Sequence, residues 1–393
     1  MLVSPIDVAY IRQELPWTTN HIYLNTATFG PLPRCVPETM ETWLQKEWLV
    51  GRLGMQAYET IGKLYADARS EVVRLLKADT GEIALTENTG EGLGIVCHGF
   101  NWRSGDEVII TNHEHISVHF LLNHIRNRYG ITVRVADLGT GGEQPAEEAI
   151  ARLITPRTRL IVLSHVSFMT GTLLNVPVVT KLAHQFDIPV LVDGAQAVGA
   201  IPVDVKALGA DFYVFPMQKW LCGPDGTAAL YVRQEAIERI QPTYIGWCLL
   251  KFEAGGKMSL HDSAQRFELG ARQSAAIAGQ IASLRWLEEK IGYEWLFERI
   301  SHLHRYACSV LKDIPGLTLL TPHPGSSGVL SFVLKEQSAE PIVKRLQQEH
   351  NIHLRSVFEH NSLRISTGFY NTEEEIDCVA QILHTWQKKG AYA

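Results

Sequence analysis

The stretch 211-DFYVFPMQKWLCGPDG-226 reads as a buried strand that ends in a turn, yet it carries a lysine between Gln218 and Trp220. Burying an ammonium is costly unless the group is paired, deprotonated or chemically consumed. An isolated lysine at a strand end more often snorkels to solvent. The rest of the chain decides whether Lys219 has a task such as holding a carbonyl as a Schiff base.

Around this strand, short apolar runs alternate with helical patterns: EIALTEN, DEVIITN, TVRVADL, RLIVLSHVS, IPVLVDGA, DFYVFP and TAALYV. Alternation of this kind predicts an α/β fold, a mostly parallel seven-stranded sheet sandwiched by helices. After 226-GTAALYVRQEAIERI-240 the texture turns Gly-rich and irregular through 253-EAGGKMSLHDSAQRFELG-270. A long helical pattern follows over 274–314, then alternating segments at GVLSFVL, IHLRSV and SLRISTGFY, then a closing helix at TEEEIDCVAQILHTWQKK. The expected organisation is a large domain over 19–255 and a smaller α+β domain over 256–393, with residues 1–18 packing on the latter.

Composition narrows the function. Two domains suit 393 residues. A net charge of −6, from 36 Lys plus Arg and 42 Asp plus Glu, argues against nucleic acid or an anionic membrane as partner. No apolar run approaches the roughly 20 residues of a membrane span, and the N-terminus lacks a signal peptide's apolar core, so a cytoplasmic protein is expected. The six cysteines form no CxxC pair, which suggests neither a zinc site nor a disulfide framework.

In open α/β sheets, ligands sit beyond the carboxyl ends of the strands. Three ends stand out. In 85-LTENTGEGLG-94, glycines at 90, 92 and 94 let a ligand approach the backbone where a helix begins, and the free N–H groups there favour phosphate; a plain Gly-tolerant turn reads equally well. In 188-IPVLVDGAQAVG-199, Asp193 ends a central strand with Gln196 three residues on. That carboxylate either caps a helix or pairs with a cationic ring nitrogen. Lys219 ends the third. A phosphate cradle, a ring-nitrogen partner and an amine together are the parts that bind pyridoxal 5′-phosphate.

With these motifs in place, the chain resembles the class V branch of the fold-type I pyridoxal-phosphate enzymes, the group of cysteine desulfurases, selenocysteine lyases and cystine C–S lyases. The resemblance runs from 23-YLNTATFGPLP-33 through 190-VLVDGAQAVGAIPVDVKALGADFYVF-215 to 363-LRISTGFYNTEEEID-377. It implies Lys219 as the lysine that holds the coenzyme, Asp193 as partner of the pyridinium nitrogen, and Gln196 as donor to the ring phenolate oxygen. It further implies that His115, in NHEHIS, stacks on the ring, that Thr89 and Gly90 cradle the phosphate, and that Arg364 clamps the substrate carboxylate, with Arg355 as a second clamp. The lesser alternative for His115 is an exposed loop histidine. A homodimer with shared active sites, and a possible sulfur acceptor, also follow from the resemblance.

Departures choose among the branches. Pro216, Met217 and Gln218 precede Lys219 where the family commonly has Ser-Gly-His, and Gln218 retains one hydrogen-bond donor for the coenzyme. Phe168 takes a position often held by asparagine; Ala271 and Arg272 stand where a threonine of the neighbouring subunit often meets the phosphate, with Arg272 a substitute across the interface. The spacer between Arg355 and Arg364 is only SVFEHNSL, without the cysteine that desulfurases carry there. Cys222 is the one thiol near Lys219, and its apolar neighbours suggest packing. Without a sulfur-accepting thiol, β-elimination of cystine or cysteine to pyruvate and ammonia is the simpler outcome, with the released sulfur available for iron–sulfur clusters. The alternatives are a cysteine desulfurase or selenocysteine lyase, a class V aminotransferase or amino-acid epimerase, and a non-catalytic protein that binds the coenzyme.

Overall fold

A computed structural model describes residues 7–253 and 255–389. Its centre is a seven-stranded sheet of β2 (Ile83–Thr86), β3 (Glu107–Thr111), β4 (Thr132–Ala136), β5 (Thr158–Ser164), β6 (Val190–Asp193), β7 (Phe212–Pro216) and β8 (Ala228–Val232). Their order across the sheet is β2-β8-β7-β6-β5-β3-β4. Only β8 opposes the others, pairing antiparallel with both β2 and β7. The expected mostly parallel sheet is therefore present, and its apolar runs have a physical cause. Side chains alternate between two buried layers: Ile161, Leu163, Val190, Val192, Tyr213 and Phe215 on one face, Leu160, Val162, Leu191, Phe212 and Val214 on the other. A strand covered on both faces has no polar side to show.

Helices α2 (Cys35–Val50), α3 (Met55–Leu76), α4 (Thr89–Gly99), α5 (Ile116–Tyr129), α6 (Ala146–Ala151), α7 (Val176–His184) and α8 (Val205–Leu208) connect and cover this sheet. The helical pattern over 274–314 resolves into α9 (Ser274–Trp286), a π-turn over Leu287–Ile291, and α10 (Tyr293–Leu311). Gly292, at φ 76°, allows the chain to turn between them. α9 packs on α2 and α3 and is buried on nearly every side. Before it lies a short antiparallel pair, β9 (Leu250–Phe252) with β10 (Met258–Leu260).

The C-terminal layer is a four-stranded sheet in the order β11 (Leu317–Leu319), β12 (Val329–Leu334), β15 (Ser362–Ser366), β14 (Arg355–Val357). α10, α11 (Ala339–His350) and α12 (Glu373–Lys389) supply its core through Leu303, Ala307, Ile342, Leu346, Ile376 and Leu383. The N-terminal chain touches both layers. α1 (Val8–Glu14) buries Ile11 in the large core, while Arg12 pairs with Glu375 at 2.7 Å. β1 (Ile22–Tyr23) runs parallel to β13 (Ile352–His353) of the C-terminal layer. Residues 1–6 of the expected N-terminal packing segment lie outside the described residues.

Candidate active site

Four parallel strands and β2 deliver their carboxyl ends to one cavity of roughly 180 Å³. Its lining includes Asn88, Thr89 and Gly90 after β2, His115 after β3, Ser164 and Phe168 at and after β5, Asp193 and Gln196 at and after β6, and Gln218 and Lys219 after β7. Residues scattered over 88–219 thus become neighbours because parallel strands all end on the same edge.

Asp193 is the last residue of β6, 6% exposed, and its Oδ1 accepts the Ala195 N–H at 2.9 Å. Burial raises its pKa, and the nearby Lys219 ammonium opposes the shift. Burial likewise depresses Lys219 to about 8, with Asp193 pulling the other way and Arg364 and Arg355 adding repulsion. The free amine is therefore accessible near neutral pH. Directly across from the lysine, Gly30 packs so closely that a Cβ would lie 2.0 Å from the Lys219 carbonyl oxygen; no other residue fits there.

His115 caps α5: its Nδ1 accepts the Ser117 N–H at 3.2 Å and meets Ser117 Oγ at 2.7 Å. Burial first, then Lys219, Arg355 and Arg364, lower its pKa to about 4, so the imidazole is neutral at neutral pH. Its ring meets Phe168 edge-on, with centroids 4.8 Å apart. Gln196 donates through Nε2 to the Ala27 carbonyl at 3.0 Å and accepts from Trp220 Nε1 at 2.9 Å, which leaves one amide N–H uncommitted. The Gln218 Oε1 is buried without a partner.

At the phosphate-like end, Asn88 caps α4 by accepting the Glu91 N–H at 2.9 Å, and Thr89 and Gly90 form the first turn. The three glycines divide their work. Gly90 lines the cavity, whereas a Cβ on Gly92 would sit 2.7 Å from Val214 Cγ1, so that glycine serves close helix–strand packing. Arg272 lies beside the cavity rather than in its wall. It lines a neighbouring cleft with Ala271, Glu87 and Glu91, and its Nη2 approaches Glu91 Oε1 at 3.5 Å.

Arg364 and Arg355 sit directly opposite each other on β15 and β14, hence on one face of the antiparallel pair. Arg364 is 1% exposed; Nη1 donates to the Phe168 carbonyl and Nη2 to Thr28 Oγ1, both at 2.9 Å, while its Nε is buried without a partner. Arg355 reaches the same Thr28 oxygen at 3.3 Å. Among the described residues neither arginine has a carboxylate within 4.0 Å, and desolvation with the Arg355 charge brings Arg364 down to about 9. Two cations held together without a carboxylate partner have the chemistry to attract an anion.

Sequence reasoning passed over several members of this assembly. Glu114 is buried near enough to Asp193 to feel its charge, accepting from Thr111 Oγ1 at 2.6 Å and Ser164 Oγ at 2.8 Å, and burial pushes it up to about 7. His165 Nδ1 meets the Tyr213 hydroxyl at 2.8 Å beneath the same strand end. Glu114 is visible in NHEHIS as an acidic residue at a strand end, but Thr28 is 336 residues from Arg364 and carries no local signal. Cys222 is sealed in the core at φ 53°, and burial pushes its thiol well up.

The profile of the family described as aminotransferase class-V matches residues 22–379. The chain belongs to this family. Among its class-V relatives, the "Probable cysteine desulfurase" of Methanothermobacter thermautotrophicus is 29% identical over 95% of this chain and 96% of its own. The "Cysteine desulfurase" of Klebsiella pneumoniae is 32% identical over 94% and 96%. Two structures of the cystine C–S lyase C-DES superpose with TM-scores of 0.91 and 0.90 at 28% identity, covering 95% and 94% of this chain and 98% and 99% of theirs. One is a variant with glycine covalently linked to its PLP cofactor; the other holds the reaction product cysteine persulfide.

Proposed function

We propose that this chain is a pyridoxal-phosphate-dependent carbon–sulfur lyase that converts cystine and water to pyruvate, ammonia and cysteine persulfide. The residues present fit the coenzyme. The cavity joins a helix N-terminus for the phosphate, a buried carboxylate for the ring nitrogen, an amine of depressed pKa and the uncommitted Gln196 N–H for the phenolate oxygen. When bound, the coenzyme supplies an electron sink conjugated to the substrate Cα.

The protein's own groups do the rest. Lys219 would hold the coenzyme aldehyde through Nζ, and its free amine would take the substrate Cα proton on Nζ. Asp193 keeps the ring nitrogen protonated. Gln196 offers its uncommitted N–H to the phenolate oxygen, and the neutral His115 ring covers the coenzyme. Thr89 and Gly90 meet the phosphate. Arg364 and Arg355 would grip the substrate carboxylate and so orient the Cα–H bond for proton removal. The persulfide departs as a stabilised anion and needs no acid.

One observation carries elimination over sulfur transfer to the enzyme. The spacer between Arg355 and Arg364 closes as a tight hairpin without a thiol, and no cysteine among the described residues lines the cavity. Incubating the holoenzyme with cystine should yield pyruvate and ammonia in equal amounts; alanine without pyruvate would overturn the assignment. Alanine from cysteine is the outcome of a second reading, a cysteine desulfurase, which the names of the relatives favour. We also infer a homodimer with shared sites. Arg272, set beside the phosphate end in a cleft rimmed by the exposed Tyr244 and Leu269, suits such an interface. A fully active monomer by mass measurement would rule it out. Six free cysteines accord with a reducing, cytoplasmic compartment.

A further inference from the structure

The turn that follows β1, like Phe168 after β5, touches both the coenzyme side and the arginine side of the site. Its Ala27 carbonyl accepts from Gln196 at 3.0 Å, and its Gly30 N–H donates to the Gln218 carbonyl at 2.7 Å. Asn25 bridges to Ser366 at the end of β15. Thr28, half-buried, stands between them.

The hydroxyl of Thr28 has a defined polarity. Its proton goes to Asn25 Oδ1 at 2.7 Å, so the oxygen faces the arginines with its lone pairs only. It accepts Arg364 Nη2 at 2.9 Å and Arg355 Nη1 at 3.3 Å. Two guanidiniums repel each other, and Arg355 is exposed with no carboxylate partner among the described residues to hold it. Arg364 is also held by the Phe168 carbonyl, so the Thr28 oxygen is the acceptor the two arginines share.

We propose that Thr28 is a positioning residue for the substrate carboxylate, its hydroxyl holding Arg355 and Arg364 side by side so that their remaining N–H groups face one anion. This rests on the reading of the two arginines as the carboxylate clamp. Because the turn also contacts Gln196 and Gln218, it registers the clamp to the coenzyme pocket alongside the Phe168 carbonyl.

The test compares holoenzymes carrying Thr28→Val, which keeps the shape and removes the oxygen, and Thr28→Ser, which keeps the oxygen. The probe is 3,3′-dithiodipropionate, a cystine lacking both amino groups, which binds through carboxylate without reacting with the coenzyme. Calorimetry should show about tenfold weaker binding to Thr28→Val and near-normal binding to Thr28→Ser. The KM for cystine should rise by the same factor with kcat little changed, and the visible spectrum and coenzyme content should match those of wild type. If Thr28→Val binds the probe as wild type does, the positioning role is wrong while the clamp stands. Loss of coenzyme from Thr28→Val would instead make the turn a structural support and refute the proposal. A wild-type protein that binds no probe would remove the clamp and the positioning role together.

Discussion

Replacing Arg364 by lysine tests the carboxylate clamp where its geometry is most constrained. The guanidinium has five N–H donors; one goes to the Phe168 carbonyl, one to Thr28, and the buried Nε has no partner, so three donors remain for a ligand. Lysine keeps the charge but offers a single point of contact. The substrate then loses one charge-assisted hydrogen bond of about 1.5–3 kcal/mol, a factor of about 10 to 150. The ammonium also leaves either Phe168 or Thr28 unserved, which costs about 1 kcal/mol of stability and leaves the protein folded. Pyruvate formation from cystine, followed through a coupled NADH-consuming dehydrogenase, should therefore show kcat/KM reduced by about 10- to 150-fold, mostly through KM. A kcat/KM within about threefold of wild type, with a fully loaded coenzyme, would show that Arg364 does not hold the substrate carboxylate.

Further expectations address the electrostatics and the core. The depressed Lys219 pKa means that its free amine is the majority form above about 8, so the rate at which apoprotein takes up coenzyme should climb with pH and level off there. A rise continuing to about 10.4, the value of an ordinary lysine, would contradict that environment. Arg69 and Glu268 form a buried ion pair at 2.9 Å, and Glu268 Oε1 also accepts the Leu85 N–H on the edge strand β2. Glu268→Ala strands both donors and should lower stability to urea by about 3–5 kcal/mol, whereas a loss below about 1 kcal/mol would mean that the pair is dispensable. Cys222→Ala should keep kcat within about twofold, because a thiol buried with a raised pKa is no nucleophile; abolished turnover with intact coenzyme binding would place sulfur chemistry on Cys222.

The large sheet was legible because doubly buried strands leave uninterrupted apolar runs, and because parallel strands must deliver their last residues to one edge. Asp193, Lys219 and His115 follow from that rule and from family resemblance. The break between α9 and α10 was hidden because α9 is buried on nearly every side, so its pattern runs into the next helix without a clear change of face. Residues that act through distant partners were not legible. Thr28 and Glu114 look like ordinary loop and strand-end residues until β15 and β5 are brought beside them. Gly92 was read as ligand clearance, when its neighbour across the helix–strand contact is Val214.

The proposed chemistry requires a covalent bond between Lys219 Nζ and the coenzyme. Borohydride reduction of the native protein followed by peptide mass mapping examines that bond directly. The expected result is a reduced phosphopyridoxyl group on the peptide containing Lys219 and on no other lysine. A label on another lysine, or none on a protein that still turns cystine into pyruvate, would contradict it.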